Sequence, residues 1–181
     1  VRGDEQTQRV YAMYKEADRL PETNGHVSLN LRPGAGRAID ELLQLTSGDR
    51  VFWGGCGTGP EVISRALRHP QVHFVALDTN GDAIAVAQRK IEELRNAGFP
   101  LRNLDMRVGD VMKEPRGYHT QVYSTAVAGS ELYARLRWLA AGRKLCMLKE
   151  MWEGETGKDF ETRRVWLSGS GGQKQLMARR M

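Results

Sequence analysis

Apolar residues recur along the chain in two spacings, which alternate from one segment to the next. Segments with apolar positions three and four residues apart predict amphipathic helices, and short continuous apolar runs predict buried strands. The predicted helices cover residues 9–20, 35–45, 61–67, 82–97 and a segment from Ser130, and the predicted strands cover residues 51–53, 72–77, 105–108, 120–124 and 144–151. Because helices and strands alternate, the pattern predicts an α/β fold with a mostly parallel sheet and helices on both faces.

The last part of the chain carries the signal of two strands joined by a turn. Residues 162–167 and 173–178 have strand-like composition, and residues 168–172 between them are all Ser or Gly. This arrangement predicts a C-terminal β-hairpin, which brings the predicted sheet to seven strands.

The chain has no internal repeat and no linker-like segment, so its 181 residues are predicted to share one core. Residues 1–34 are expected to form a helix and a loop that pack on the main domain, residues 35–181. The chain begins with Val1 rather than Met, as a processed product or a domain of a longer protein would.

The segment from Val51 to Pro60 joins a predicted strand to a predicted helix through a turn with four glycines. Glycine permits positive φ angles and a close approach of the backbone to a ligand. Such a turn presents backbone N–H groups and the positive end of a helix dipole to an anionic or polar group. The turn is therefore a candidate binding site.

Two aspartates follow later strands and are expected at the same edge of the sheet. Asp78 ends the second predicted strand, 19 positions after Gly59, where a carboxylate can accept hydrogen bonds from ribose hydroxyls. Its alternative role is the N-cap of the following helix. Asp110 follows the third predicted strand. In an open α/β sheet, ligands bind at the edge where the strands have their carboxyl ends.

The order and spacing of these segments resemble those of the class I S-adenosylmethionine-dependent methyltransferases. The resemblance covers residues 35–151 and implies a Rossmann-like fold with S-adenosylmethionine as the cofactor. It implies that the glycine turn passes under the methionine moiety, that Asp78 holds the ribose and that Asp110 contacts the adenine. The cofactor-binding residues implied in this way are Gly55, Cys56, Gly57, Thr58, Gly59, Asp78, Thr79, Asp110 and Val111.

Two other kinds of glycine-turn site fit the residues less well. A dinucleotide site for hydride transfer expects a glycine three positions after Gly57, where this chain has Pro60. A nucleotide-hydrolase phosphate loop requires Gly-Lys-Ser/Thr, which the turn lacks. The methyltransferase resemblance has one departure: Trp53 stands two positions before Gly55, where the family usually has an acid that holds the amino-acid end of the cofactor. A catalytically inactive module that binds a cofactor or a partner is therefore an alternative.

No motif in the sequence identifies the substrate or a catalytic residue. The segment from Ser124 to Val127 lacks the Asn/Asp-Pro-Pro-aromatic sequence of enzymes that methylate base amines. Lys149 lies near the second lysine of the ribose 2′-O-methyltransferases, but the aspartate of that group of enzymes is missing. Tyr14, Tyr123 and Ser124 are the candidate substrate-contacting residues, and core packing is the alternative role of the two tyrosines.

The helix and loop before the glycine turn are also similar in architecture to the non-SET histone-lysine methyltransferases. That family's Asp-Leu-Gly-Ser-Gly turn is not reproduced in this chain. A fold does not determine its chemistry, so transfer of the aminocarboxypropyl group of the cofactor and transfer to a small molecule stay open as alternatives.

Composition adds an expectation about the partner. The chain has 27 Lys and Arg against 22 Asp and Glu, a formal net charge of +5, which favours an anionic partner such as nucleic acid. Its two cysteines exclude a disulfide framework and a multi-cysteine zinc site, and no metal site is predicted. They fit a reducing compartment, the cytoplasm or alternatively the nucleus. No apolar stretch approaches the roughly 18 residues that a membrane span requires.

These features together predict an S-adenosylmethionine-dependent methyltransferase that acts on a macromolecule, either a protein or an RNA. A nucleic acid and a basic protein are the candidate partners, and the sequence does not indicate the number of subunits. The basic residues expected to steer an anionic substrate are Arg102, Arg107, Arg163 and Arg164.

Overall fold

A computed structural model describes residues 5–18, 20, 31–124, 130–152, 160–166 and 172–181 of the chain. Helices and strands alternate along most of this length, as the sequence pattern predicted. The helices are α1 (Glu5–Ala12), α2 (Ala35–Leu43), α3 (Pro60–Arg68), α4 (Gly81–Asn96) and α5 (Ser130–Leu139). The strands are β1 (Arg50–Gly54), β2 (His73–Asp78), β3 (Leu104–Val108), β4 (Gln121–Ser124), β5 (Lys144–Leu148), β6 (Phe160–Trp166) and β7 (Gln173–Arg180).

The seven strands form one sheet in the order β3-β2-β1-β4-β5-β7-β6. Strands β1 to β5 are parallel, and β7 lies antiparallel between β5 and β6. The predicted α/β fold, with a mostly parallel seven-stranded sheet and a C-terminal hairpin, is confirmed. The direction of winding reverses at β1, between β2 and β4, and ligands bind at this switch point in open α/β sheets.

Side chains of each strand alternate between two apolar layers, one on each face of the sheet. In β1, Val51 and Trp53 join the layer that contains apolar residues of α1, α2, α3 and α4. Phe52 between them joins the layer that contains apolar residues of α5. Helices therefore cover both faces, as predicted. Within the described ranges, no helix is both long enough and apolar enough to cross a bilayer.

The N-terminal helix differs from its prediction. The apolar spacing predicted a helix over residues 9–20 after a frayed start, but α1 begins at Glu5 and ends at Ala12. The chain leaves the helix before Tyr14, whose hydroxyl donates a hydrogen bond to the carbonyl oxygen of Thr58 at 2.7 Å. A tertiary contact with the glycine turn thus overrides the helical spacing of the sequence.

Candidate functional site

The glycine turn lies at the switch point, between the end of β1 and the start of α3. Gly55, Gly57 and Gly59 have φ angles of 70°, 58° and 91°, which glycine adopts without steric cost. The N–H groups of Gly55 and Cys56 donate to the carbonyl oxygen of Leu77 at 2.8 and 3.0 Å. These bonds hold the turn against the end of β2.

Asp78 links the turn to the start of α4. Its Oδ2 accepts the N–H of Gly57, and its Oδ1 accepts the N–H of Asn80, both at 2.8 Å. Asn80, rather than Asp78, caps α4, because its Oδ1 accepts the N–H groups of Asp82 and Ala83 at 3.0 and 3.2 Å. An ionised carboxylate has about four acceptor positions, so Asp78 keeps capacity for further donors beside the turn.

The end of β3 belongs to the same group of residues. The N–H of Gly109 donates to the carbonyl oxygen of Asp78 at 3.0 Å. Asp110 Oδ1 accepts the N–H of Met112 at 2.9 Å and so caps a short 3-10 turn. Val111 in this turn is buried in the layer beneath α5. The structure therefore brings the glycine turn, Asp78 and Asp110 together at one edge of the sheet.

The space around the turn differs between its glycines. A Cβ built on Gly57 would meet no atom within 4 Å, whereas one on Gly59 would lie 2.9 Å from Met106 Cε. Thr58 between them is buried, and its Oγ1 has no hydrogen-bond partner among the described residues. Thr79, beside Asp78, is exposed. The turn thus combines an open position at Gly57, a packed position at Gly59 and an unsatisfied buried hydroxyl.

Trp53, at the position where an acid was expected, is part of the core. Its side chain is 1% exposed. Its ring centroid lies 3.9 Å from that of Tyr123 and 6.4 Å from that of Phe74. The indole therefore fills the space beneath the turn, and residue 53 offers no carboxylate there.

The three substrate candidates have different surroundings. Tyr123 is fully buried against the indole, and its hydroxyl has no hydrogen-bond partner among the described residues. Ser124 is also fully buried, and its Oγ donates to the carbonyl oxygen of Gly54 at 2.9 Å. Tyr14 is half-buried and reaches the turn through its hydrogen bond to Thr58. Of the three, Tyr14 alone presents part of its side chain to solvent beside the site.

Known structures with the same arrangement were found at low sequence identity, whereas no protein-family model and no curated protein matches the chain. An S-adenosylmethionine-dependent O-methyltransferase from Thermotoga maritima superposes with a TM-score of 0.63 at 12% identity, over 86% of this chain and 68% of that one. For a dimethyladenosine transferase from Plasmodium falciparum the TM-score is 0.59 at 18% identity, over 84% and 63%. For a geranyl diphosphate C-methyltransferase from Streptomyces coelicolor A3(2) it is 0.59 at 13% identity, over 82% and 76%. The chain has the class I S-adenosylmethionine-dependent methyltransferase fold.

The similarity to these structures shows the fold and does not identify a substrate. This chain spans 48% of one matched chain and 63% of another, so parts of those proteins have no counterpart in it. The sequence motifs indicated a resemblance to class I S-adenosylmethionine-dependent methyltransferases, and at the level of the fold this resemblance is confirmed.

The four arginines expected to steer a substrate do not lie together on one surface. Arg102 and Arg107 lie at β3, whereas Arg163 and Arg164 lie on β6, at the opposite end of the sheet. Arg107 Nε is 3.4 Å from Asp105, and Arg163 Nε is 2.8 Å from Glu41. Their charges are therefore divided and partly balanced by acids.

Glu61 is a buried residue beside the turn that the sequence analysis did not single out. It lies in the first turn of α3, where its carboxylate accepts the N–H of Leu31 at 2.6 Å and a hydrogen bond from the Tyr11 hydroxyl. Desolvation by burial outweighs these bonds and raises the pKa of Glu61 to about 7. An acid after Pro60 is also typical of an exposed helix start, so the sequence gives no signal that separates the two cases.

The Glu61→Gln variant is expected to lose a pH dependence of stability that the unsubstituted protein has. The pKa of Glu61 rises from 4.5 to about 7 on folding. The protonated carboxyl therefore stabilises the fold fully below the lower value, and this contribution disappears as the pH rises through the upper one. The change amounts to about 3 kcal/mol. It is measured as the urea-derived free energy of unfolding of both proteins at about pH 5 and about pH 8.

Glu92, which is exposed on α4, supplies the control. The Glu92→Gln variant should keep the pH dependence of the unsubstituted protein. Equal pH profiles for the Glu61→Gln variant and the unsubstituted protein would show that Glu61 is not the group responsible.

Cys56 is not placed to act as a nucleophile, although it lies in the glycine turn. Burial, together with the charge of Asp78, raises the pKa of its thiol, so the thiol is protonated at neutral pH. The structure shows no group of three or more His, Cys, Asp or Glu side chains suited to a metal ion in the ranges it describes.

Proposed function

We propose that the chain is an S-adenosylmethionine-dependent methyltransferase that acts on a macromolecule. The observation that supports this most directly is the geometry of Asp78, whose two oxygens each accept one N–H group and keep further acceptor capacity beside the open position at Gly57. The cofactor-binding set is the one implied by the family resemblance: Gly55, Cys56, Gly57, Thr58, Gly59, Asp78, Thr79, Asp110 and Val111.

Each part of this set has a defined task. Asp78 accepts hydrogen bonds from ribose hydroxyls, and Asp110 with Val111 faces the adenine. The turn from Gly55 to Gly59 presents backbone to the methionine part, and the unsatisfied Thr58 hydroxyl is available there for a polar group. When bound, the cofactor supplies a methyl group on a cationic sulfur, which needs little further activation. The residues of the chain then act by orienting the donor and excluding water, which requires no catalytic dyad.

A macromolecular substrate is favoured by charge. The net charge of +5 attracts anionic polymers, and one structure with the same fold is a dimethyladenosine transferase. A nucleic acid therefore fits better than a basic protein. A small molecule is the alternative, since a geranyl diphosphate C-methyltransferase has the same fold. The two free, buried cysteines support a reducing compartment, for which the cytoplasm is our proposal.

The Asp78→Ala variant is expected to bind S-adenosylmethionine about 5- to 150-fold more weakly, which corresponds to about 1–3 kcal/mol for lost buried hydrogen bonds. Isothermal titration calorimetry with S-adenosylmethionine and S-adenosylhomocysteine measures the loss. Because Asp78 also holds the N–H groups of Gly57 and Asn80, the free energy of unfolding is measured in parallel.

Asp105→Ala is the matched control, because Asp105 is an exposed aspartate of β3 that pairs with Arg107. It should leave the affinity for the cofactor unchanged. If the unsubstituted protein binds neither compound, the proposed function is wrong.

A second candidate function is an inactive module that keeps the methyltransferase fold. It is favoured by the burial of Trp53 in the core, since residue 53 then cannot hold the amino-acid end of the cofactor. Incubation with protein, RNA and small-molecule pools separates the possibilities if the cofactor is labelled either on its methyl or on its carboxyl carbon. Transfer of the first label supports a methyltransferase, transfer of the second supports an aminocarboxypropyl transferase, and binding without transfer supports the inactive module.

A further inference from the structure

Several arginines lie near an exposed tryptophan at the end of α5, away from the glycine turn, and two of them, Arg116 and Arg135, contact its ring. We call this group the basic aromatic surface, and its members are Arg116, Arg135, Arg137, Trp138, Arg143 and Arg180. The last two adjoin the others through hydrogen bonds, from the N–H of Met181 to the carbonyl oxygen of Arg143 at 2.8 Å and from Arg180 Nη1 to the carbonyl oxygen of Gly142 at 3.3 Å. Arg143 precedes β5, and Arg180 pairs with Lys144 at the start of the same strand. The surface therefore reaches the edge of the sheet opposite to the carboxyl ends of the parallel strands.

Trp138 is the centre of this surface. Its side chain is 40% exposed, and tryptophan is enriched at surfaces that bind a partner. The guanidinium carbon of Arg135 lies 4.1 Å from its ring centroid, and that of Arg116 lies 5.5 Å from it. Arg135 is itself fixed, because its Nη2 donates to the carbonyl oxygen of Glu114 at 2.6 Å. The indole and a held guanidinium thus form a preorganised stacking unit.

A depression of about 310 Å³ opens beside the indole. Its lining is apolar apart from Arg137, whose guanidinium carbon lies 5.6 Å from the ring centroid of Tyr133. The lining residues are Ala134, Arg137, Trp138, Ala141 and Met181. A pocket with apolar walls and a cationic rim suits a flat aromatic group that carries a phosphate.

In the part of the chain that the structure describes, acidic side chains contribute little to this surface. Glu131 is exposed in the first turn of α5, at the other end of the helix from Trp138. Glu114 is buried and accepts a hydrogen bond from His119 at 2.7 Å, if Nε2 of the ring carries the proton. Among the described side chains around Trp138, the exposed charges are therefore positive.

We propose that the basic aromatic surface binds a single-stranded nucleic acid, with a base stacked on Trp138 and phosphates held by the surrounding guanidinium groups. Stacking on aromatic rings beside cations is how proteins hold unpaired bases. An acidic protein could form ion pairs with the guanidinium groups. Ion pairing alone, however, gives no role to an accessible indole with an arginine stacked on it. The inference deepens the proposed function, on which it rests for the link to methyl transfer, by naming the class of the substrate.

The position of the surface fits a polymer rather than a small molecule. The five residues of β5 span about 16 Å, so the glycine turn and the basic aromatic surface lie at opposite edges of the sheet. A ligand that contacts both must be longer than this separation. A strand of several nucleotides meets that requirement.

Fluorescence anisotropy with labelled oligo(U) RNA and oligo(T) DNA of about 12 nucleotides tests the proposal. The Trp138→Leu variant keeps an apolar side chain and loses the stacking ring, and it is expected to bind at least about fivefold more weakly. The Arg116→Ala/Arg137→Ala variant should lower the slope of log affinity against log salt by about 1.4 if each arginine contacts one phosphate. Thermal melting of each variant shows whether it is folded.

Trp166 offers a matched control, since it is 50% exposed on β6 and has the Arg32 guanidinium carbon 5.6 Å from its ring centroid. The Trp166→Leu variant should bind as tightly as the unsubstituted protein. Equal losses in the two tryptophan variants would overturn the proposal. So would equal affinity for a duplex or for an acidic peptide of the same charge, because either would mean that only charge is recognised.

The outcome is independent of the cofactor titration. Oligonucleotide binding that depends on Trp138, without binding of S-adenosylmethionine, would support this surface and contradict the proposed function. Cofactor binding without oligonucleotide binding would contradict a role of this surface in nucleic-acid binding and would leave the proposed cofactor site supported.

Discussion

Replacing Asp40 by alanine is expected to lower the free energy of unfolding by about 3–5 kcal/mol, because it removes a carboxylate that pairs with a buried arginine. Arg65 is completely buried in α3, and its Nη1 pairs with Asp40 Oδ2 of α2. Its Nη2 donates to Thr7 Oγ1 of α1 at 2.6 Å. Asp40 Oδ1 lies 2.7 Å from Nε2 of His69. Although desolvation raises it, the pKa of Asp40 is lowered overall, because His69 and Arg65 donate hydrogen bonds to the carboxylate.

Urea denaturation of the Asp40→Ala variant measures this loss, and the adjacent Glu41 supplies the control. Glu41 pairs with Arg37 and Arg163, but all three side chains are at least 40% exposed. Glu41→Ala should therefore lower the free energy of unfolding much less than Asp40→Ala does. An equal loss in the two variants would mean that the buried charge is compensated in another way.

The same variant bears on function. The network around Arg65 holds α1 against α3, and Tyr14 follows α1 with its hydroxyl on the glycine turn. We expect weaker packing of α1 to release Tyr14 from the turn before the sheet itself unfolds.

The Gly59→Ala variant is expected to be less stable by about 2–5 kcal/mol, as the sum of a backbone term and a packing term. The φ angle of 91° is unfavourable for any side chain. The added Cβ would also lie 2.9 Å from Met106 Cε and 3.1 Å from Ala87 Cβ, inside the layer between α4 and the sheet. The loss is measured by urea denaturation.

Gly98 provides a close control for the packing term. It has the same φ of 91°, but a Cβ there would meet no atom within 4 Å. Gly98→Ala should therefore lower the free energy of unfolding by the backbone contribution alone, about 1–2 kcal/mol. If the two variants lose the same stability, the contact with Met106 does not restrain the turn.

The strands and the ligand-binding edge were predictable because each carries a local signal. The apolar runs of β1, β2 and β5 are buried on both faces, so they read as continuous hydrophobic stretches. The glycines mark positive φ angles, Asp78 ends an apolar run, and Asp110 follows the end of β3 after Gly109. The sequence alone therefore places these residues at one edge, where the structure brings them together.

The remainder depends on contacts between distant parts of the chain. The end of α1 at Ala12 follows from a bond between Tyr14 and Thr58, which are 44 positions apart. Glu61 resembles an ordinary acid at a helix start, and only the packing of Tyr11 and Leu31 around it makes it a buried group. Periodicity does not report such partners.

The basic aromatic surface was also outside the reach of the sequence. The leucines of α5 lie in the apolar layer that packs on the sheet. On the opposite side of α5, the guanidinium group of Arg116 lies over the ring of Trp138. Arg116 belongs to the segment between β3 and β4, so the two residues are neighbours only in the folded chain. The sequence-based set of steering arginines therefore missed this group.

The position of β7 between β5 and β6 governs how the sheet can assemble. In the described part of the sheet, β6 pairs with β7 alone, although it precedes β7 in the chain. Strand β6 can therefore join the sheet only together with β7 or after it, and until β7 docks the edge of β5 has unpaired N–H and C=O groups. A refolding chain exposes this edge to other copies of itself, so refolding yield should fall as protein concentration rises.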